Sequence, residues 1–292
     1  MTAGHVVYHI PVCPFSQRLE ILLALRGQEG AVEFRTVDIS KPREPALLAM
    51  TRGTTALPVL LVPDGTVLKE SRVILRYLDE TLDGPRLRRS DPVQHAVESM
   101  LVALEGAITM AGYLFVMNQK RACRAEYAET LLSIYRDING FLRDFSRSGP
   151  WLFDDFGYAE AVFAPVFKRF WFLEYYEGFT LPHGPDYDRV RVWQDACMAH
   201  PATNQVTHEQ IVKLYYDYAL GAGNGALVDG RKISSFVFTP HWQDRPWPPR
   251  DKYAGTASDA ALGLVTDGPG TGGEQMADRS SSSTPDAACT SA

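Results

Sequence analysis

Ile10-Pro11-Val12-Cys13-Pro14-Phe15-Ser16-Gln17-Arg18 constrains this chain more than any other stretch. An apolar strand, residues 6–10, runs into it, and an apolar helix runs out of it to about Gly27. Pro14 suits the first helical turn, where a missing N–H costs nothing, and Gly27 suits a C-terminal cap. Cys13 is thereby expected at or next to the N-cap, with free backbone N–H groups and the positive end of the helix dipole aimed at its sulfur. That position favours the thiolate and makes Cys13 a candidate catalytic nucleophile. Ser16 lies one turn on, where its hydroxyl and N–H are expected to reach the sulfur. The spacing is C-x-x-S, so no second local thiol is present to resolve a disulfide. A mixed disulfide on Cys13 has to be resolved by a thiol from elsewhere, which points to exchange with a small thiol.

Residues 6 to about 82 read β-α-β-α-β-β-α. Strands are expected at 6–10, 32–39, 59–62 and 67–68, with Asp64-Gly65 as a hairpin signal between the last two. Helices fit 14–26, about 44–51, and 71–81, where Ile74, Leu75 and Leu78 share one face. This order predicts a thioredoxin-like α/β domain over residues 1–82. Residues 83–92, rich in Pro and charge, read as a linker whose Arg86, Arg88 and Arg89 are solvated. From 93 to 220 the patterns are long and helical, which predicts a separate all-α domain. Residues 221–253, rich in Pro, Trp and Arg toward their end, read as an extended surface segment. From Ala254 the chain turns Gly-, Ser-, Thr- and Asp-rich, and 254–292 are expected to be a disordered tail.

The formal net charge of −6 argues against a nucleic-acid partner, which needs a basic surface. Cysteines at 13, 123, 197 and 289 give neither a disulfide framework nor a zinc spacing, and such usage suits the cytoplasm. His5 and His9, four apart on a strand, offer no metal spacing, and no metal is expected. No stretch reaches 18 uninterrupted apolar residues, so no membrane span is expected. The N-terminus lacks a basic region followed by an apolar run, so no signal peptide is expected.

Three motifs carry a resemblance. They are Cys13-Pro14-Phe15-Ser16-Gln17-Arg18, Ala56-Leu57-Pro58-Val59-Leu60, and Lys69-Glu70-Ser71 before a helix continuing Val73-Ile74-Leu75-Arg76-Tyr77-Leu78. With the α/β-then-α order, they resemble the glutathione transferase superfamily, omega-like cysteine branch, over roughly residues 5–220. Further segments resemble the glutathione lyase of the bacterial lignin β-aryl ether pathway: Asp38 to Arg43, Gly53 to Pro58, Phe167-Lys168-Arg169, Lys213 to Tyr218, and Pro248 to Lys252. The resemblance implies glutathione as co-substrate, a cis Leu57–Pro58 bond, and a homodimer. It also implies that a cysteine thiolate removes glutathione from an aryl-ketone thioether.

The resemblance implies site residues too. The Leu57 backbone would pair with the cysteinyl part of glutathione, Lys41 with its glycine carboxylate, and Glu70 and Ser71 with its γ-glutamyl end. The residues alone leave alternatives open. Ser71 reads first as a plain helix N-cap, though a helix N-terminus also binds carboxylates. Lys41 reads as solvated surface. Tyr215, Tyr216 and Tyr218 read as core, or as tyrosines lining a pocket for an aromatic ketone. Gly157-Tyr158-Ala159-Glu160 resembles a buried capping box and is structural. Rival readings are dehydroascorbate or glutathionyl-hydroquinone reduction, thiol transfer, β-ether cleavage, and a non-catalytic, transcription-associated protein of the same fold.

Overall fold

The structure, a computed structural model, describes residues 4–265 apart from Thr54 and Arg147. Residues 266–292, with Cys289 and most of the expected tail, lie outside the described residues, as does Thr54 of the Gly53–Pro58 motif. The first part runs β1 (His5–His9), α1 (Pro14–Arg26), β2 (Val32–Thr36), α2 (Pro45–Met50), β3 (Val59–Leu61), β4 (Val67–Leu68) and α3 (Ser71–Thr81). The sheet order is β2-β1-β3-β4, with β1 parallel to β2 and the other pairs antiparallel. This is a thioredoxin-like unit with a mixed four-stranded sheet. β2 is shorter than expected: Asp38 accepts from the Ser40 N–H at 2.9 Å, and the chain turns away from the sheet.

Local chemistry accounts for the main elements. Pro14 opens α1, and Gly27 closes it in the left-handed region, while the Gln28 N–H reaches back to the Leu23 carbonyl at 2.9 Å. Apolar and polar side chains alike are buried around α1, because the helix is covered by α3 on one side and by the helical part on the other. Gly65, at φ +90°, makes the turn between β3 and β4, where Asp64 accepts the Thr66 N–H at 2.8 Å.

The helical part runs α4 (Pro92–Ala103), α5 (Glu105–Met117), α6 (Arg124–Phe145), α7 (Tyr158–Arg169), α8 (Trp171–Glu177), α9 (Asp188–Ala199), α10 (His208–Leu214) and α11 (Tyr216–Ala219). Asp91 caps α4 by accepting the Gln94 N–H at 2.8 Å. Phe163, Phe167, Trp193 and Tyr135 centre the core, which is continuous with that of the first part. The Glu160 carboxylate ties the base of α7 together, accepting from Gly157 N–H (2.9 Å), Leu152 N–H (2.8 Å) and Trp193 Nε1 (2.9 Å). Gly157 has no side chain to return the bond, so the expected capping box is only half present. By length and composition alone, the stretch Pro92–Met117 could cross a membrane. Here it forms α4 and α5, with Glu98 and Glu105 buried against the rest of the fold.

Two expectations are corrected. Arg86 stays exposed while donating to the Asp79 carbonyl, and Arg88 pairs with Glu80 at 3.1 Å in solvent, but Arg89 is largely buried and pairs with Asp155, against the solvated reading. The chain from 254 to 265 packs instead of hanging free. Leu262 and Leu264 are buried, Asp259 pairs with the Arg231 guanidinium, and the Ala257 N–H donates to the Tyr216 hydroxyl at 2.9 Å. The Gly/Ser-rich composition of the wider tail hid two leucines and one acid that dock.

Candidate functional site

β1 leads into a tight turn at Val12, a β-branched residue held at φ +59°. Such residues strongly disfavour the left-handed region. The turn is closed by the Cys13 N–H donating to the Ile10 carbonyl at 3.1 Å. The Val12 carbonyl accepts from Arg169 Nε at 3.0 Å, Arg169 Nη2 at 2.6 Å and the Tyr215 hydroxyl at 3.2 Å. Cys13 follows as the N-cap of α1 in extended conformation; it is free and partly exposed.

Ser16 does not behave as expected. Its N–H donates to the Cys13 carbonyl at 3.1 Å, not to the sulfur. Its hydroxyl is wholly buried and finds no partner among the described residues. Among the described residues no hydrogen bond reaches the Cys13 sulfur from α1.

Arg18, one turn further, is fully buried. Nη2 pairs with Glu105 at 2.6 Å and Nη1 donates to the Ser71 hydroxyl at 2.8 Å. Burial pushes its guanidinium down, and the neighbouring Glu105 and Cys13 charges oppose that shift.

The Leu57–Pro58 bond is cis, and Pro58 leads into β3. No hydrogen bond from the described residues engages the Leu57 backbone. Glu70, exposed and at φ +68°, is the N-cap of α3 and makes no side-chain cap bond. Ser71 is thus the first helical residue and not the N-cap, because its hydroxyl is turned to Arg18. The Val73 and Ile74 N–H groups are spent on the Glu70 carbonyl, and those of Ser71 and Arg72 are not. Lys41 lies on the loop after β2, exposed and paired with Asp38 at 3.1 Å; it touches none of the other candidates.

The tyrosines divide. Tyr215 and Tyr218 meet at 5.0 Å between ring centroids with their planes tilted by 35°, and Tyr113 of α5 meets both edge-on at 6.2 and 5.7 Å. Phe172 and Phe236 complete this wall beside the Cys13 turn. Burial pushes the Tyr113, Tyr215 and Tyr218 hydroxyls up, with Arg169 opposing the shift at Tyr215. The Tyr218 hydroxyl donates to Asn224 Oδ1 at 3.0 Å and accepts the Asn224 N–H at 3.2 Å. Tyr216 does not join them: it is fully buried, meets Tyr176, and binds the 254–265 segment through Ala257.

Tyr113 was passed over by sequence reasoning, and Arg169 entered only within the segment Phe167-Lys168-Arg169, without a role of its own. Arg169 did leave a signal, since a basic pair ends the apolar run Val162 to Phe167. Among the described residues, no group of His, Cys, Asp or Glu is placed to hold a metal ion.

Comparison with known proteins agrees with this geometry. Residues 7–86 match the family model for the glutathione S-transferase N-terminal domain. Glutathione S-transferase omega-1 of Sus scrofa is 23% identical over 198 residues, covering 68% of this chain and 78% of that one. Glutathione transferase Omega 3C from Trametes versicolor superposes with a TM-score of 0.62 at 19% identity, covering 75% of this chain and 91% of that one. Leishmania TDR1, a trimeric glutathione transferase, superposes at 0.63 with 21% identity; 74% of this chain matches 48% of that chain, about half its length. The shared architecture is a thioredoxin-like domain followed by a helical domain.

Proposed function

We propose that this chain, whose residues 7–86 match the glutathione S-transferase N-terminal domain and which is similar to an omega-class transferase, is a cysteine-type, glutathione-dependent enzyme of the cytoplasm that removes glutathione from an aryl-ketone thioether. One observation carries the reading. A free, partly exposed Cys13 caps α1 beside an aromatic wall of Tyr113, Tyr215 and Tyr218. The Cys13 thiolate attacks the sulfur of the bound conjugate. A sulfur–sulfur bond forms to glutathione, and the bond from that sulfur to the carbon α to the ketone breaks. The electron pair leaves with carbon as an enolate, which is then protonated. A second glutathione thiolate attacks the mixed disulfide, restoring Cys13 and releasing oxidised glutathione.

In this reading glutathione lies along the edge from Leu57 to Ser71. The unengaged Leu57 backbone pairs with its cysteinyl part. The free N–H groups of Ser71 and Arg72 receive the γ-glutamyl carboxylate, and the exposed Glu70 takes the ammonium. Lys41 reaches the glycine carboxylate by leaving Asp38. Tyr215 and Tyr218 face the aryl ketone. The chain acts as a homodimer, supported by the exposed apolar side chains Val73, Val93, Met100, Met110 and Leu114 on α3, α4 and α5.

Replacing Cys13 by Ser tests the chemistry. The wild type, given a thioether substrate without free glutathione, is expected to carry one glutathione adduct on Cys13 by mass spectrometry. The Ser variant is expected to carry none and to turn over nothing. An adduct on Cys197, or turnover by the Ser variant, overturns the mechanism. A substrate panel of thioether, β-ether, dehydroascorbate and mixed disulfide then distinguishes thioether cleavage from the rival cysteine reactions.

A further inference from the structure

We propose that Arg169 is a positioning residue for Cys13, acting through the Val12 carbonyl, with Tyr215 as its second donor. The proposal rests on the reading of Cys13 as the nucleophile and adds how the helical part of the chain sets that nucleophile.

The peptide unit between Val12 and Cys13 is tied at both ends. Its N–H donates to the Ile10 carbonyl, and its carbonyl receives three donors from residues more than 150 positions away. The orientation of this peptide plane sets the direction in which Cys13 enters α1, and so where its sulfur stands relative to the helix N-terminus. Val12 does not hold the orientation by itself, because a β-branched residue leaves the left-handed region when released.

The chemistry of Arg169 points the same way. The side chain is wholly buried, and none of the described carboxylates forms an ion pair with it; Glu20 feels its charge without touching it. Its donors go to the Val12 carbonyl, to Gln17 Oε1 and to the Pro165 carbonyl at 3.2 Å. A buried guanidinium without a carboxylate is costly to keep. What it obtains here is a two-pronged grip on one carbonyl, which a lysine ammonium cannot reproduce. It also aligns Gln17, whose amide reaches the Thr203 carbonyl at 3.2 Å and Gln205 at 2.9 Å. The helical part thus holds both the turn before Cys13 and the first turn of α1.

The test uses iodoacetamide, which reports on the Cys13 sulfur without glutathione or substrate. Arg169→Lys, Arg169→Met and Tyr215→Phe are compared with wild type, following the Cys13 peptide by mass spectrometry across pH. Arg169→Met is expected to slow Cys13 alkylation near neutral pH by about tenfold or more, since small misplacements of a reacting group cost that much. The loss should persist at every pH where the variants are fully folded, because a misplaced sulfur and not a lowered stability causes it. Arg169→Lys should fall between, and Tyr215→Phe should lose about threefold, the worth of one net hydrogen bond. Tyr215→Phe keeps the ring and its packing, so it carries the test if the Arg169 variants fail to fold. Wild-type alkylation rate and pH profile in folded Arg169→Lys and Tyr215→Phe, even with a lowered melting temperature, would overturn the proposal. Fast alkylation of wild-type Cys13 with no activity on any thioether would instead overturn the functional reading and leave this one standing.

Discussion

Arg18 and Glu105 meet at 2.6 Å with both side chains almost entirely buried, an ion pair that joins α1 to α5. Arg18 also holds the Ser71 hydroxyl, and Glu105 accepts the Thr109 hydroxyl at 2.6 Å, so α3 is drawn into the same network. Removing one partner of such a pair strands a buried charge, which costs about 3–5 kcal/mol. Glu105→Gln is therefore expected to lower unfolding free energy by about 3 kcal/mol in urea titrations. The double variant Arg18→Met with Glu105→Leu should recover much of that loss, because it removes the charge that was left unpaired. An unchanged denaturation midpoint in Glu105→Gln would show that the pair contributes nothing net.

Glu98 gives the fold a pH dependence of unusual sign. Burial, and next the nearby Glu160 charge, push its carboxyl from 4.5 up to about 7, with Arg89 opposing. The folded state then binds more protons than the unfolded state between those values, so this group's contribution falls as pH rises from 4.5 to 7 and is constant above. At about 1.4 kcal/mol per pH unit, the cost above pH 7 is roughly 3 kcal/mol. Glu98→Gln mimics the protonated acid and keeps an acceptor for the Tyr158 N–H. It is expected to match wild type near pH 5 and to melt several degrees higher at pH 8. The difference between the two curves isolates Glu98 from His9. Burial pushes His9 down to about 4, so its contribution rises with pH between 4 and 6.5. Identical melting at both pH values would refute the assignment.

Chain ends at Tyr253 and at Val265 should behave differently. The intervening segment buries Leu262 and Leu264 and gives Arg231 one of its two acids. Burying a leucine is worth about 1.5–3 kcal/mol. A chain ending at Tyr253 is expected to melt roughly 5–10 °C below one ending at Val265, since about 1 kcal/mol shifts melting by 2–4 °C at this size. Equal melting temperatures would return 254–265 to the free tail that composition suggests.

What could be read from the sequence was local, and what could not was distant. α1 begins and ends where Pro14 and Gly27 place it, and α3 spans 71–81 because its apolar face is continuous. Those signals lie within one turn of the boundary they mark. Arg169 reaches Val12 across 157 positions, and nothing local in either residue encodes that meeting. The three tyrosines could not be separated by spacing, because the helix breaks at Tyr215. The chain is α10 before it and α11 after it, and the break puts Tyr215 and Tyr218 together and sends Tyr216 to the other side. Ser71 was legible as a helix start but not as an acceptor for Arg18, a contact that depends on Glu105 in another part of the fold.

Glu70 and Ser71 offer the sharpest separation of recognition from chemistry. If they hold the γ-glutamyl end of glutathione, Ser71→Ala should raise KM for glutathione by about tenfold or more. A hydrogen bond to a charged group is worth about 1.5–3 kcal/mol. Part of the Ser71 hydroxyl is already committed to Arg18, so Ser71→Ala should also cost some stability, through the donor left unpaired. Glu70→Ala carries no such cost, because Glu70 is exposed and makes no side-chain cap bond. It should raise KM at least as much, by leaving the substrate ammonium unpaired, at an unchanged melting temperature. Alkylation of Cys13 by iodoacetamide should hardly respond to either substitution, since that reagent has no γ-glutamyl group. Normal glutathione binding by both variants would leave Ser71 as no more than the Arg18 acceptor and Glu70 as surface, and the glutathione site would have to be drawn elsewhere.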